Sequence, residues 1–200
     1  MGESTPLVGA ILAGGRAQRM GGRAKGLELV GGERIAERVL AALRAVTRRV
    51  VVAGGDPDLA HILGAEFVDD ARPGNGPLGG IVGALRATGA DVLAIAWDMP
   101  WVTPDALRPL LEAGPELDGA AWTTGGELEP LCTLYRRSAL APLSEALDRG
   151  ERRARVAASG LRLQLLDASV LPPGSLASVN TPAELEAARE RAATTALLVR

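Results

Sequence analysis

The strongest constraint on the fold is an alternation of short, continuously apolar segments with longer segments of helical periodicity. Residues 7–12 are apolar throughout apart from one glycine, and residues 91–97 read DVLAIAW. Strands that are apolar on both faces belong to parallel sheets covered by helices. The alternation therefore predicts an α/β fold, with a mostly parallel, Rossmann-like sheet between two layers of helices.

The remaining elements follow from local patterns. Further strands are predicted at residues 50–52, 66–68, 131–135 and 161–166, and helices at 33–46, 77–87 and 138–149, with two more beginning at Thr103 and Thr181. Each of these threonines precedes a proline, so each is expected to cap its helix. A chain of 200 residues has the length of roughly one domain, and we predict a single domain over residues 1–200. The residues after Ala192 lack an amphipathic pattern, which predicts a disordered tail at 193–200.

Composition excludes several classes of protein. The single cysteine and the single histidine exclude a disulfide framework and multi-Cys or multi-His metal centres. The net charge of −2 and the aromatic content of 2% give neither the charge nor the stacking surface for nucleic acid. No apolar run approaches the roughly 20 residues of a membrane span, and the N-terminus lacks the basic start of a signal peptide. We therefore expect a cytoplasmic protein with no nucleic-acid or membrane partner.

In an open α/β sheet, ligands bind beyond the carboxyl ends of the strands. The first loop, residues 12–26, reads LAGGRAQRMGGRAKG. Its glycines allow backbone N–H groups to approach an anion, and its arginines and lysine add positive charge, as a triphosphate site requires. It is not a Walker A loop, because its lysine is not followed by Ser or Thr. The alternative is a flexible basic surface loop.

Two further loops carry carboxylates. Asp98 follows the buried strand 91–97, where a carboxylate can hold Mg²⁺ jointly with phosphate oxygens. Asp69 and Asp70 have the same position after another strand. The alternative for each is an aspartate that only forms a turn.

Three other features have simpler explanations. Residues 74–79 match the dinucleotide-binding pattern G-x-G-x-x-G, but Arg72 and Pro73 separate them from the strand, so a turn into a helix is the better interpretation. His61 has no acidic partner and is expected to be a surface or satisfied histidine. Cys132 lies in an apolar strand and is expected in the core.

Four blocks in order resemble a known family: the first loop, Asp70 with Gly76–Gly80, Asp98-Met99-Pro100 with Thr103-Pro104-Asp105, and Val179-Asn180-Thr181-Pro182 with Glu184-Leu185. A weaker block combines Glu129-Pro130 with residues 150–153. The first block resembles the signature loop of nucleotidyltransferases. The whole set resembles the molybdenum cofactor guanylyltransferases, which make molybdopterin guanine dinucleotide. The resemblance implies a nucleotide-diphospho-sugar transferase type of fold.

The resemblance also implies roles for individual residues. Lys25, Arg19 and Asp98 would be catalytic, with Asp98 holding Mg²⁺. The substrate-binding residues would be Leu12, Ala13, Gly14, Gly15, Lys25, Asp70, Asp98 and Asn180. Arg152 and Arg153 would face the molybdopterin side together with Asn180. GTP and molybdopterin are the implied substrates, and a transient contact with the molybdoenzymes that accept the cofactor is expected.

Three residues depart from the family pattern: Ala24 stands where an aspartate is usual, and Ala53 and Ser178 stand where asparagines are usual. They leave three alternatives open, namely a CTP-dependent molybdenum cofactor cytidylyltransferase, a sugar-phosphate nucleotidyltransferase, and a degenerate protein that binds nucleotide without turnover. Gly14 favours guanine, since the cytidine-transferring relatives usually have LAAG in the first loop. A dehydrogenase would have to bind nicotinamide, which nothing else in the sequence indicates.

Overall fold

A seven-stranded sheet forms the centre of the computed structural model, which describes residues 5–13, 19–20, 23–74 and 76–198 (only the backbone at 19, 20, 23 and 196–198). The sheet strands are β1 (Leu7–Leu12), β6 (Arg49–Ala53), β7 (Glu66–Val68), β8 (Asp91–Ala96), β9 (Gly119–Thr124), β10 (Glu127–Tyr135) and β11 (Leu163–Asp167). Their order across the sheet is β11-β9-β10-β8-β1-β6-β7. Only β10 runs antiparallel to its neighbours, so the prediction of a mostly parallel sheet is confirmed.

Helices cover both faces of the sheet. They are α1 (Ile35–Arg44), α2 (Pro57–Leu63), α3 (Pro77–Thr88), α4 (Pro104–Leu107), α5 (Leu140–Asp148), α6 (Ala154–Ala158) and α7 (Pro182–Leu198). One apolar cluster joins α1 and α2 to one face, and a second joins α3, α5 and α6 to the other. The side chains of β1 point alternately to the two faces of the sheet, with Ile11 in the first cluster and Ala10 in the second. The sheet therefore lies between two layers of helices, as predicted.

Two short hairpins extend from the first loop. They are formed by β2 (Arg19–Met20) with β3 (Arg23–Ala24), and by β4 (Leu29–Val30) with β5 (Glu33–Arg34). A 3₁₀ turn, Lys25–Leu27, lies between them. Lys25 is thus the residue directly after β3 and the first residue of this turn.

The two threonines that are predicted to cap helices, Thr103 and Thr181, do so. The side chain of Thr103 accepts a hydrogen bond from the N–H of Ala106, and Thr181 and Glu184 form a reciprocal capping box. The helix of residues 77–88 begins directly after Gly76, whose φ is 71°. Residues 76–79 therefore form a turn into a helix, as predicted, and not a dinucleotide-binding strand–turn–helix unit.

The C-terminal helix α7 packs on the second hairpin rather than on the sheet. Leu185, Ala188 and Ala192 form a small cluster with Val30 and Ile35. The guanidinium of Arg191 lies 4.2 Å from the centroid of the Trp101 ring. Helix α7 extends to Leu198, and the hydroxyls of Thr194 and Thr195 donate to the carbonyls of Glu190 and Arg191 at 3.0 Å; the disordered tail at 193–200 stays a prediction. None of the helices in the described ranges is long and apolar enough to cross a membrane.

Candidate active site

Three predicted site residues from distant parts of the chain meet beyond the carboxyl end of β8. The ammonium of Lys25 donates a 2.6 Å hydrogen bond to Oδ1 of Asn180 and lies 3.6 Å from Oδ2 of Asp98. Lys25 and Asp98 are almost completely buried, whereas Asn180 is exposed. A buried lysine paired in this way is a fixed positive charge at the edge where ligands of α/β proteins bind.

The local backbone places Lys25. The residue lies in the 3₁₀ turn of residues 25–27, which is closed by the N–H of Glu28 donating to the Lys25 carbonyl at 3.1 Å. Gly26 packs directly on the indole of Trp97, the residue before Asp98. The turn can approach the end of β8 this closely because residue 26 has no side chain.

Asn180 is placed by two sets of backbone contacts. The N–H of Val179 donates to the Asp98 carbonyl at 2.8 Å, which ties the segment to the end of β8. The carboxylate of Glu184 accepts from the N–H groups of Asn180, at 2.6 Å, and Thr181, at 2.9 Å. The capping box of α7 therefore fixes the residue that receives the lysine.

The carboxylate of Asp98 is in an electrostatically unfavourable position. Burial raises the pKa of Asp98 above its ordinary value, although Lys25 and a hydrogen bond from the side chain of Ser178 act in the opposite direction. The effect of burial on this carboxylate therefore outweighs that of its described partners. Among the described residues, no group of three or more His, Cys, Asp or Glu side chains could hold a metal ion alone. A divalent cation at Asp98 would take its other ligands from phosphates and water, as Mg²⁺ commonly does.

Leu12 and Ala13 lie where β1 ends, between the ends of its two neighbours. The carbonyl of Leu12 accepts from the N–H of Trp97 at 3.2 Å, and the N–H of Ala13 donates to the carbonyl of Ala53 at 3.1 Å. Both residues are buried, and their contact with a nucleotide stays a prediction.

Asp70 occupies a separate position on the same edge. Its Oδ1 accepts from the N–H of Arg72 at 2.8 Å, and a Cβ on Gly79 would come 1.9 Å from this oxygen. The carboxylate thus packs on the first turn of α3, and burial raises the pKa of Asp70. Within the described residues, no hydrogen bond or ion pair joins Asp70 to Lys25, Asp98 or Asn180.

The other predicted site residues are placed only in part. Gly14 and Gly15 lie outside the described residues, and of Arg19 only the backbone is described, in the hairpin β2–β3. The guanidinium of Arg153 donates to Glu151, and the carbonyl of Arg152 lies beside Gly76 at the start of α3. Their roles in binding substrate stay predictions.

His61 and Cys132 lie in the environments that the sequence predicts. His61 is exposed on α2 and Cys132 is fully buried in β10. Ser178, which departs from the family pattern, is one of the residues that act to lower the pKa of Asp98. No signal in a single sequence could have predicted this effect.

Comparison with known proteins agrees with this geometry. The family model of the MobA-like NTP transferase domain matches residues 9–163. A probable molybdenum cofactor guanylyltransferase of Chloroflexus aggregans is 36% identical over 192 residues, covering 89% of this chain and 91% of the relative. The chain belongs to the molybdenum cofactor guanylyltransferase family. It is therefore a nucleotidyltransferase, as the first loop predicts.

Other members and their structures support the same assignment. A molybdenum cofactor guanylyltransferase of Vibrio parahaemolyticus is 31% identical over 178 residues, covering 88% of this chain and 91% of the relative. The crystal structure of molybdopterin-guanine dinucleotide biosynthesis protein A from Archaeoglobus fulgidus superimposes with a TM-score of 0.77 at 28% identity, covering 94% of this chain and 99% of that one. The predicted nucleotide-diphospho-sugar transferase type of fold is confirmed for this family member.

Proposed function

We propose that this family member transfers GMP from GTP to molybdopterin, forming the guanine dinucleotide form of the cofactor and releasing pyrophosphate. The observation that carries the proposal is the buried ammonium of Lys25 beside Asp98 and Asn180. An ammonium has three N–H donors. Asn180 accepts one of them at 2.6 Å, and Asp98 lies at ion-pair distance, 3.6 Å, so the ammonium retains N–H donors for a phosphate oxygen of the nucleotide.

The chemistry requires positioning and charge neutralisation rather than a protein nucleophile. An oxygen of the terminal phosphate of molybdopterin attacks the α-phosphorus of GTP in line. A new P–O bond forms as the bond from the α-phosphorus to the α,β-bridging oxygen breaks, and pyrophosphate carries away the electron pair. Since the attacking phosphate is already anionic, no general base is needed, which agrees with a single histidine exposed on α2.

Lys25 would stabilise the charge that builds on the leaving pyrophosphate, because its ammonium is fixed in place before the substrate binds. Arg19 would add a second positive charge from the first loop. Leu12, Ala13, Gly14 and Gly15 would bind the nucleotide along the same loop, and Asp70 would contact it beside α3.

The divalent cation of the reaction would be Mg²⁺, held by Asp98 together with phosphate oxygens. When bound, Mg²⁺ neutralises phosphate charge and orients the triphosphate. The buried carboxylate of Asp98, only partly compensated by Lys25, fits this role.

The acceptor side is assigned to the exposed Asn180 and to Arg152 and Arg153. A transient contact with cofactor-accepting molybdoenzymes would follow from the need to deliver a labile product.

The decisive experiment is titration of the purified protein with GTP, CTP, ATP and NAD, each with and without Mg²⁺, by thermal shift. Only a ligand that binds the folded state raises the unfolding temperature. We expect GTP with Mg²⁺ to give the largest increase, and pyrophosphate to be released when molybdopterin is added. Equal or stronger stabilisation by CTP would favour the cytidylyltransferase alternative, release with a sugar phosphate alone would favour the second alternative, and binding without release would identify a degenerate nucleotide-binding protein.

A further inference from the structure

A groove of about 410 Å³ lies next to the nucleotide site. Such a volume is within the range of roughly 300–1,000 Å³ typical of small-molecule sites. The groove is lined by the end of β9 and the turn that follows it, by Glu129 of β10, and by the segment after β11; the lining residues are Thr124, Gly125, Glu129 and residues 167–169 and 171–177.

The chain segment that lines the groove leads directly to the residues that contact Asp98 and Lys25. Its last lining residue, Ala177, is two residues before Val179, whose N–H donates to the Asp98 carbonyl at 2.8 Å. Strands β8, β9 and β11 all run in one direction, so the groove lies at the same edge of the sheet as Asp98. A molecule bound in the groove could therefore extend to the α-phosphorus of a nucleotide at Lys25.

A β-bulge in β10 places Glu129 at this groove. Leu128 pairs with Thr123 and Thr133 pairs with Ala121, so residues 129–132 stand opposite Trp122 alone. Such bulges redirect side chains and are common beside active sites.

Two buried side chains maintain the bulge. The hydroxyl of Thr133 donates to the carbonyl of Glu129 at 2.7 Å, and the hydroxyl of Tyr135 donates to the carbonyl of Pro130 at 2.8 Å. Both donors come from residues with no exposed surface. The bulge is thus a fixed part of the fold and not a loose end of the hairpin.

The groove has the charge expected for a ligand rich in hydrogen-bond donors. Among the described residues, the carboxylate of Glu129 makes no hydrogen bond or ion pair, although the residue is half-buried. Asp167 contributes a second carboxylate, one oxygen of which accepts from the N–H of Ser169 at 2.9 Å. In the described part of the chain, no lysine or arginine lines the groove; these lining residues therefore favour a neutral group that presents N–H donors over a phosphate.

We propose that this groove binds the pterin ring of the acceptor, with Glu129 as its recognition residue. The 2-amino group and the N3–H of a 2-amino-4-oxopterin are adjacent donors that match the two oxygens of one carboxylate. The inference rests on the proposed function, because molybdopterin supplies the pterin. Glu129 would hold the ring in the groove while the phosphate of the same molecule reaches the nucleotide.

The test compares two fluorescent or absorbing probes, pterin (2-amino-4-oxopteridine) and lumazine (2,4-dioxopteridine), which lacks the 2-amino donor. Binding is measured to the GTP-saturated protein, to Glu129→Gln and to Glu127→Gln. Glu127 is a matched control, since it lies on the same strand but pairs with Arg155 outside the groove. We expect the parent protein and Glu127→Gln to prefer pterin by about tenfold or more, and Glu129→Gln to lose the preference.

Equal binding of the two probes by the parent protein, or an unchanged preference in Glu129→Gln, would overturn the proposal. Guanine has the same amino–amide edge as pterin, so GTP affinity is measured in parallel; a loss of GTP affinity in Glu129→Gln would mean that the groove binds the base, and would also overturn it. The proposed function has a separate readout. Pyrophosphate release with an unchanged KM for molybdopterin in Glu129→Gln would refute the pterin groove alone, whereas pterin preference without any pyrophosphate release would refute the guanylyltransferase activity.

Discussion

Gly26 and Trp97 are in direct contact, and the contact determines where Lys25 lies. A Cβ on residue 26 would stand 2.5 Å from Cε3 of Trp97 and 2.8 Å from Cδ2. The ring is 8% exposed and packed in the apolar cluster beneath the site, so it cannot move aside freely. The turn that carries the lysine is therefore held at the end of β8 by a contact that only glycine allows.

Replacing Gly26 by Ala is expected to move this turn away from β8. Overpacking of this kind costs typically 1–3 kcal/mol, and a shift of about 1 Å at the lysine is enough to lower kcat by about 100-fold. The double variant Gly26→Ala/Trp97→Leu should recover part of the activity, because a smaller side chain makes room for the methyl group. Gly160→Ala is the control, since its nearest neighbour would be at an ordinary 3.6 Å. Full activity in Gly26→Ala would show that the turn adjusts without consequence.

Lys25→Ala is expected to weaken the binding of GTP by far more than that of guanosine. The ammonium is a compact point charge that meets phosphates, and guanosine has no phosphate to lose. Isothermal titration calorimetry measures, for each ligand, the ratio of the affinity of the parent protein to that of the variant. If both affinities fall by the same factor, Lys25 supports the loop or the base and the phosphate role is wrong.

Ala24→Asp restores the acidic neighbour that the family usually has before the lysine. We expect this change to alter turnover more than GTP affinity, because a carboxylate at residue 24 would reposition the lysine without removing it. Pyrophosphate release and GTP titration on the same variant separate the two effects. A large loss of affinity with unchanged turnover would contradict this expectation.

The fold was predictable because its signals are local, whereas Asn180 was singled out only by the family resemblance. Apolar strands, capping threonines and polar residues at strand ends each depend on a few neighbouring residues, and parallel strands bring such ends to one edge. β9 was not predicted, since its sequence GAAWTT is short and lacks β-branched residues until its end. The bulge at Glu129 and the hydrogen bond between Val179 and Asp98 depend on pairing between distant segments, which no local pattern reveals.

Asp98→Asn should preserve the fold and lose most of the cation-dependent turnover. The substitution keeps the size of the side chain but removes the charge that holds Mg²⁺ in the proposed mechanism. Loss of one metal ligand is expected to cost several kcal/mol of transition-state stabilisation, or at least about 100-fold in rate. Asp70→Asn is assayed beside it, because near-normal turnover in Asp98→Asn together with a large loss in Asp70→Asn would transfer the metal role to Asp70.

Residues of helix α7 contact the segments that carry both partners of the Lys25–Asn180 hydrogen bond. Its capping residue Glu184 fixes Asn180, and further along the helix the guanidinium of Arg189 donates to the carboxylate of Glu28 and to the carbonyl of Leu29, each at 3.1 Å. Glu28 is three residues after Lys25 and closes its turn. We therefore expect Arg189 to be a positioning residue, which acts on the lysine through the hairpin that it anchors.

Arg189→Ala is expected to lower kcat by about 10-fold, because a small displacement of Lys25 affects the chemical step directly. The carboxylate of Glu28 is only 11% exposed, so losing this ion-pair partner should also lower the midpoint of urea unfolding. Arg162→Ala provides the control: it breaks an ion pair with Asp118, whose carboxylate is likewise only 12% exposed, directly before β9 and thus at the opposite edge of the sheet from the site. Both variants are compared for kcat, for KM of GTP and for unfolding midpoint. A purely structural role for Arg189 would instead give the two variants the same kcat.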